Sequence, residues 1–175
     1  MRGNDLGSGN PLISPEQFAE TQARLAEKVP TEADWYRRAA IKFIDEVWVR
    51  AYKDGEMNVE DCLRHIKDSL DALEKKLVAL GDVNRLALSN MLGYFAWQVL
   101  EAKPPEGVRR QMVPTAFKEF VPMAVDLCAE RGFSKTKTAD YNAYNAAADF
   151  LLNECGIRGA TREKVEHWLR KGRIS

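Results

Sequence analysis

Between Asn58 and Gly81 the apolar residues Ile66, Leu70, Leu73, Leu77 and Leu80 follow a 4-3-4-3 spacing, which only an α-helix gathers into one continuous stripe. Val59, Cys62 and Leu63 extend that face toward the amino end. Glu60 with Arg64 and Asp71 with Lys75 pair at i,i+4 on the opposite side. Asn58 with Asp61 three residues later marks the helix start, and Gly81 marks its end. The regular run covers only about two heptads, short of the three or four that a coiled coil sustains. A stripe this narrow is buried by neighbouring helices of a bundle.

Those neighbours are legible on both sides. Ser14 with Pro15 opens a short helix carrying Phe18 and Leu25, which Pro30 stops. Thr31 with Asp34 opens a second helix, running to about Lys53 before Gly55, in which Trp35, Ala39, Phe43, Val47 and Ala51, with Ile44 and Trp48 beside them, form a wide apolar face. A fourth helix is predicted from Asp82 to about Lys103. Its large apolar groups, Leu86, Met91, Leu92, Tyr94, Phe95, Trp97, Val99 and Leu100, lie nearly all round it and predict a central position. Pro104 and Pro105 end it. The next helix, Phe117 to Arg131, contains Pro122 and should kink or divide near Phe120. After the polar stretch FSKTKTAD a helix is predicted from about Thr138 to Cys155, and a last one opens at Thr161. Without strand alternation or an internal repeat, the fold expected is all-α, a compact bundle of six to eight helices that ends in a helical hairpin or helix-turn-helix. Residues 1–13 are expected to be a disordered N-terminus, 14–137 the bundle and 138–175 the C-terminal pair.

Composition narrows the function classes. The 26 basic and 26 acidic side chains cancel, but residues 131–175 carry nine basic and five acidic, so that end is about +4 and the remainder about −4. Cys62, Cys128 and Cys155 are widely spaced among apolar helical positions and read as buried reduced thiols, as in a cytoplasmic protein. No apolar run approaches the ~18 residues of a membrane span, and the first residues lack the apolar segment of a signal peptide. Phosphate-loop, dinucleotide-binding, zinc-protease and serine-hydrolase motifs do not occur. No catalytic residue, cofactor or metal is therefore expected. Cys62 and His65 could offer two ligands of a metal site with Asp61 and Asp68 nearby, yet a site needs three or four, and packing explains them better. Tyr141 and Tyr144, interleaved with Asn142 and Asn145, fit the edge of a core face or a stacking platform for a base or planar ligand. Arg109–Arg110 and the SKTKT stretch are short basic features of the surface.

The last residues carry more. An apolar helix containing Ala147, Ala148, Leu151 and Leu152 ends near Gly156, and a second helix from Thr161 places Val165, Trp168 and Leu169 on one face. The run Val165-Glu166-His167-Trp168-Leu169-Arg170-Lys171-Gly172-Arg173-Ile174 resembles the V-x-x-W-[IL]-R-x-G-R-[IL] end of the recognition helix in excisionase and MerR-type helix-turn-helix domains. The same residues, with Ala147 and Gly156, are similar to the DNA-binding segment of KfrA-type plasmid regulators. The resemblance implies a small DNA-associated regulator binding double-stranded DNA, with Arg158, Arg162, Lys164, Arg170, Lys171 and Arg173 as contact residues. Glu163 and Glu166 lie among them and would oppose phosphate. A helical hairpin closing the bundle explains Val165, Trp168 and Leu169 equally well, so the alternative is a helical interaction module, an adaptor, inhibitor or subunit, with a protein partner or a homodimer and no membrane.

Overall fold

The computed structural model describes residues 14–20, 31–109, 113–136, 140–155 and 161–172, with 162, 171 and 172 described as backbone only. The expected disorder of 1–13 and the turn at 156–160 lie outside these residues. The described chain is all-α, with no strand among its residues. Seven α-helices are defined: α1 (Glu32–Phe43), α2 (Arg50–Lys53), α3 (Val59–Ala79), α4 (Arg85–Glu101), α5 (Thr115–Glu130), α6 (Ala143–Asn153) and α7 (Arg162–Gly172). Residues 15–20 are also helical, and a π-helical segment, Ile44–Val49, links α1 to α2. They form two compact units, Met1–Val108 and Arg109–Ser175.

In the first unit the signals at the helix ends act as read. The Thr31 hydroxyl accepts the Asp34 N–H at 3.1 Å, and the Asn58 side chain accepts that of Asp61 at 2.7 Å. The α3 stripe buries Cys62, Ile66, Leu70, Leu73 and Leu77 against α1, the π-helical segment and α4, so it is an internal seam. The π segment was not foreseen. Within it Ile44, Val47, Trp48 and Val49 are buried, so the segment is packed on more than one side. Trp48 anchors it: the indole Nε1–H donates to Ser69 Oγ at 2.9 Å, and the ring stacks on His65 at 4.2 Å between centroids.

Two expectations change at α4. Asn84, not Asp82, caps it, accepting the Ala87 N–H at 3.1 Å, because Asp82 is engaged by Arg37, whose guanidinium donates to the Asp82 carbonyl at 2.5 Å. Nor is α4 enclosed. Leu88, Met91, Phe95 and Val99 are buried, and Phe18 stacks on Tyr94 at 4.0 Å, but Leu86 and Leu100 stand in the open. Its apolar residues surround the axis, whereas its packed neighbours do not.

In the second unit α5 packs on both α6 and α7, and α6 on α7. It is a single helix through Pro122 rather than two. Pro122 is exposed while Phe120, Val121 and Ala124 are buried around it, so the ring and the lost N–H face away from the core, and burial on the inner side holds the helix together. Helix α6 starts at Ala143, five residues after the expected Thr138, because Asn142 captures its amino end.

Stability tests follow from these environments. Ile66→Ala, at a fully buried position, is expected to cost ~2–5 kcal/mol, and Leu80→Ala, at the half-buried end of the stripe, less than ~1.5 kcal/mol. Urea unfolding followed by helical circular dichroism measures both.

Candidate functional site

The second unit holds twelve Lys and Arg against eight Asp and Glu, a surplus of four positive charges. Its last helix is the element the sequence singled out. The Thr161 hydroxyl accepts the Lys164 N–H at 3.3 Å, and the Thr161 carbonyl accepts that of Val165 at 2.9 Å, which opens α7 where expected. Val165 and Leu169 are buried and Trp168 is half-buried. The Trp168 ring meets Phe117 of α5 edge-on at 5.7 Å, and Lys118 Nζ lies 5.9 Å from its centroid on the same helix.

This anchoring sorts the predicted contact residues. Glu163, Glu166, His167 and Arg170 are exposed; at helical spacing Glu163 and His167 lie opposite Val165 and Leu169, while Glu166 and Arg170 lie toward the side that borders α6. Lys164 is exposed on the flank next to Trp168. Lys118 therefore joins the basic edge of α7 from another helix. Its position 50 residues upstream hid it from a reading of the terminal segment. Arg162 and Lys171 belong to α7 as backbone, while Arg158 and Arg173 lie outside the described residues. The described geometry thus brings Lys164 and Arg170 onto one helix but on different sides of it.

Beside Arg170 a cleft of about 320 Å³ opens between α6 and α7, lined by Tyr141, Tyr144, Asn145, Asp149, Glu166 and Arg170 among others. Asn142 builds its rim. Its side chain accepts the N–H groups of Tyr144 and Asn145 at 3.0 and 3.1 Å, while Asn145 Oδ1 accepts the Asn142 N–H at 3.1 Å, a reciprocal capping box. The Ala143 N–H also donates to the Ser134 carbonyl at 2.7 Å, tying the preceding loop to the helix start. The asparagines interleaved with Tyr141 and Tyr144 are thus used to start α6. Tyr141 precedes the helix and is 50% exposed, with its ring edge-on to Phe133 and its hydroxyl donating to Asp149 Oδ2 at 2.5 Å. That bond, burial and the negative charge of Asp149 push the Tyr141 hydroxyl up from 10.0 to about 12.

The thiols carry no comparable geometry. Cys62 is fully buried and donates to the Trp48 carbonyl at 3.3 Å, and burial pushes it up to about 12. Burial likewise raises Cys128 to about 11 and Cys155 well above the ordinary thiol value. His65 is stacked on Trp48 and Asp61 pairs with Arg64 at 2.9 Å, so the Cys62–His65 pair points to packing. Among the described residues no three His, Cys, Asp or Glu side chains converge for a metal, and no helix is long and apolar enough to cross a membrane. Comparison with protein-family models, curated proteins and solved structures returned no match.

Two measurements probe these environments. A raised tyrosine value means the folded state holds its proton longer, so the Tyr141 contribution to stability is complete below pH 10.0 and lost as pH rises through about 12. Tyr141→Phe is expected to flatten the stability profile in that window, as followed by denaturation at alkaline pH. A disulfide reagent at neutral pH is expected to leave all three cysteines unmodified in the folded protein and to label all three in denaturant, as counted by mass spectrometry.

Proposed function

We propose that residues 109–175 form a three-helix unit that associates with double-stranded DNA through α7, as the resemblance of Val165 to Ile174 to helix-turn-helix recognition helices implies. The observation that carries this reading is how α7 is held: by Val165, Leu169 and half of Trp168, with Glu163, Lys164, His167 and Arg170 exposed on a unit with a net positive charge. A helix seated by one narrow edge can enter a groove wide enough for a helix. Lys164, Lys118 beside Trp168 and Arg170 serve as phosphate partners on this reading, so binding is led by the backbone and modest in sequence preference.

The test is fluorescence anisotropy of the whole protein with a labelled duplex over a salt series. Binding at low salt should weaken steeply as salt rises, with log K falling by ~0.9 per phosphate contact for each unit of log salt. Lys164→Ala and Arg170→Ala should each weaken binding across unrelated sequences and reduce the salt slope by about 1. Absence of binding at low salt and micromolar protein would rule the reading out.

One observation favours a second reading, a helical module for a protein partner. Glu163 and His167 occupy the outermost face of α7, with Glu166 and Arg170 exposed on the side that borders the cleft, a mixed-charge surface suited to another protein's polar rim. Glu163→Gln with Glu166→Gln separates the two. It strengthens DNA binding by removing repulsion in the first case, and weakens capture of the protein partner in the second.

A further inference from the structure

The capping box that starts α6 leaves hydrogen-bond donors behind it. Asn142 Oδ1 accepts the N–H groups of Tyr144 and Asn145, and Asn145 Oδ1 accepts the N–H of Asn142, so both side-chain oxygens are spent on the helix start. This fixes which way each amide is turned and leaves the two Nδ2 groups over. Among the described residues neither Nδ2 has a hydrogen-bond partner. Asn142 is only 8% exposed, yet it lines the cleft of about 320 Å³ between α6 and α7. A buried amide donor without a partner costs free energy unless a group in the cleft accepts from it.

The rest of the lining says what that group belongs to. Each wall carries one donor and one acceptor a helical turn apart, Asn145 and Asp149 on α6, Arg170 and Glu166 on α7. Arg170 is exposed and enters no ion pair among the described residues. Asp149 accepts the Tyr141 hydroxyl through Oδ2, which leaves Oδ1 open. The amino end of α6 adds its own partial positive charge beside Asn142. Two carboxylates in so small a space repel a net anion, and a simple amine would leave Arg170 and both amides unmatched. A ligand with both charges close together satisfies both sets. Its body is set by the other lining residues: Ala148 and Leu169 are buried apolar side chains, and Tyr141 and Tyr144 line the same space. A cleft at the lower end of the ~300–1,000 Å³ of ligand pockets suits one small molecule rather than a peptide or a dinucleotide.

We infer that the α6–α7 cleft binds a free α-amino acid with a large apolar side chain, its carboxylate on Arg170 and the Asn142 and Asn145 amides, its ammonium on Asp149 beside Glu166, and its side chain against Ala148 and Leu169. The guanidinium of Arg170 can take the carboxylate in two parallel bonds, which gives the ligand one orientation. The inference concerns the cleft side of α6 and α7 and stands whether or not α7 binds DNA.

Titration of the whole, isotopically labelled protein with L-phenylalanine, followed by proton–nitrogen correlation spectra, tests it. The side-chain amide signals of Asn142 and Asn145 should shift and saturate. Glycine lacks the apolar body, phenethylamine the carboxylate and hydrocinnamate the ammonium, so each should bind at least ~10-fold more weakly. Arg170→Gln, at an exposed position, should leave the helical content unchanged, weaken phenylalanine at least ~10-fold and leave phenethylamine as it was. Asp149→Asn keeps an oxygen for the Tyr141 hydroxyl and should weaken phenylalanine by a similar factor without weakening hydrocinnamate. Spectra that do not change at millimolar phenylalanine overturn the inference. So does binding that any of the three analogues matches, or that is indifferent to the two substitutions. Saturable shifts that bypass both asparagine amides would place the amino acid elsewhere, and equally overturn it.

Discussion

Burial of Val165 and Leu169 sets the rotation of α7 about its own axis, and with it which side chains of the last helix meet solvent. Two branched apolar side chains of this size contribute roughly 1.5–3 kcal/mol each on full burial, far more than any surface charge could offset. Glu163 and His167 are therefore outermost, Glu166 and Arg170 border the α6 cleft, and Lys164 lies on the flank beside Trp168. The contact of Trp168 with Phe117 makes α5 part of the same arrangement. The proposed DNA contacts and the α6–α7 cleft both depend on this seating.

The first unit rests on a similar constraint. Ile44, Val47, Trp48 and Val49 are all buried in the π-helical segment. The Trp48 carbonyl takes the Cys62 thiol as donor while the indole takes Ser69 as acceptor. His65 is stacked against the same ring. The Cys62–His65 pair, which in one dimension resembles half of a metal site, is better understood as the polar edge of this tryptophan's surroundings.

Where helix termini are concerned, local chemistry was a good guide as long as no distant residue competed. Thr31, Asn58 and Thr161 cap their helices because a side-chain oxygen two or three residues from a bare N–H needs no tertiary help. Asp82 has equally good local chemistry and does not cap α4, because Arg37, 45 positions away, engages it. Asn142 is the instructive intermediate. Its partners, Tyr144 and Asn145, are local, yet the cap is missed when the asparagines are noted only as neighbours of Tyr141 and Tyr144, the pair that fits a core edge or a stacking platform. Lys118 is the opposite case: nothing near it in the chain connects it with Trp168.

The sequence by itself determined the all-helical class and the helical segments of the described chain, though not the π-helical turn that divides residues 32–53, because amphipathic spacing and end-capping are properties of neighbours three or four residues apart. Tertiary structure alone decided which apolar residues go unburied. Leu86 and Leu100 are as hydrophobic as Leu88, and only the arrangement of neighbouring helices distinguishes a core face from an open one. It likewise decided that α5 belongs with α6 and α7, and that α7 offers a flank and an acidic outer face rather than a uniform basic stripe. Those choices depend on packing between residues far apart in the chain, which local patterns do not encode.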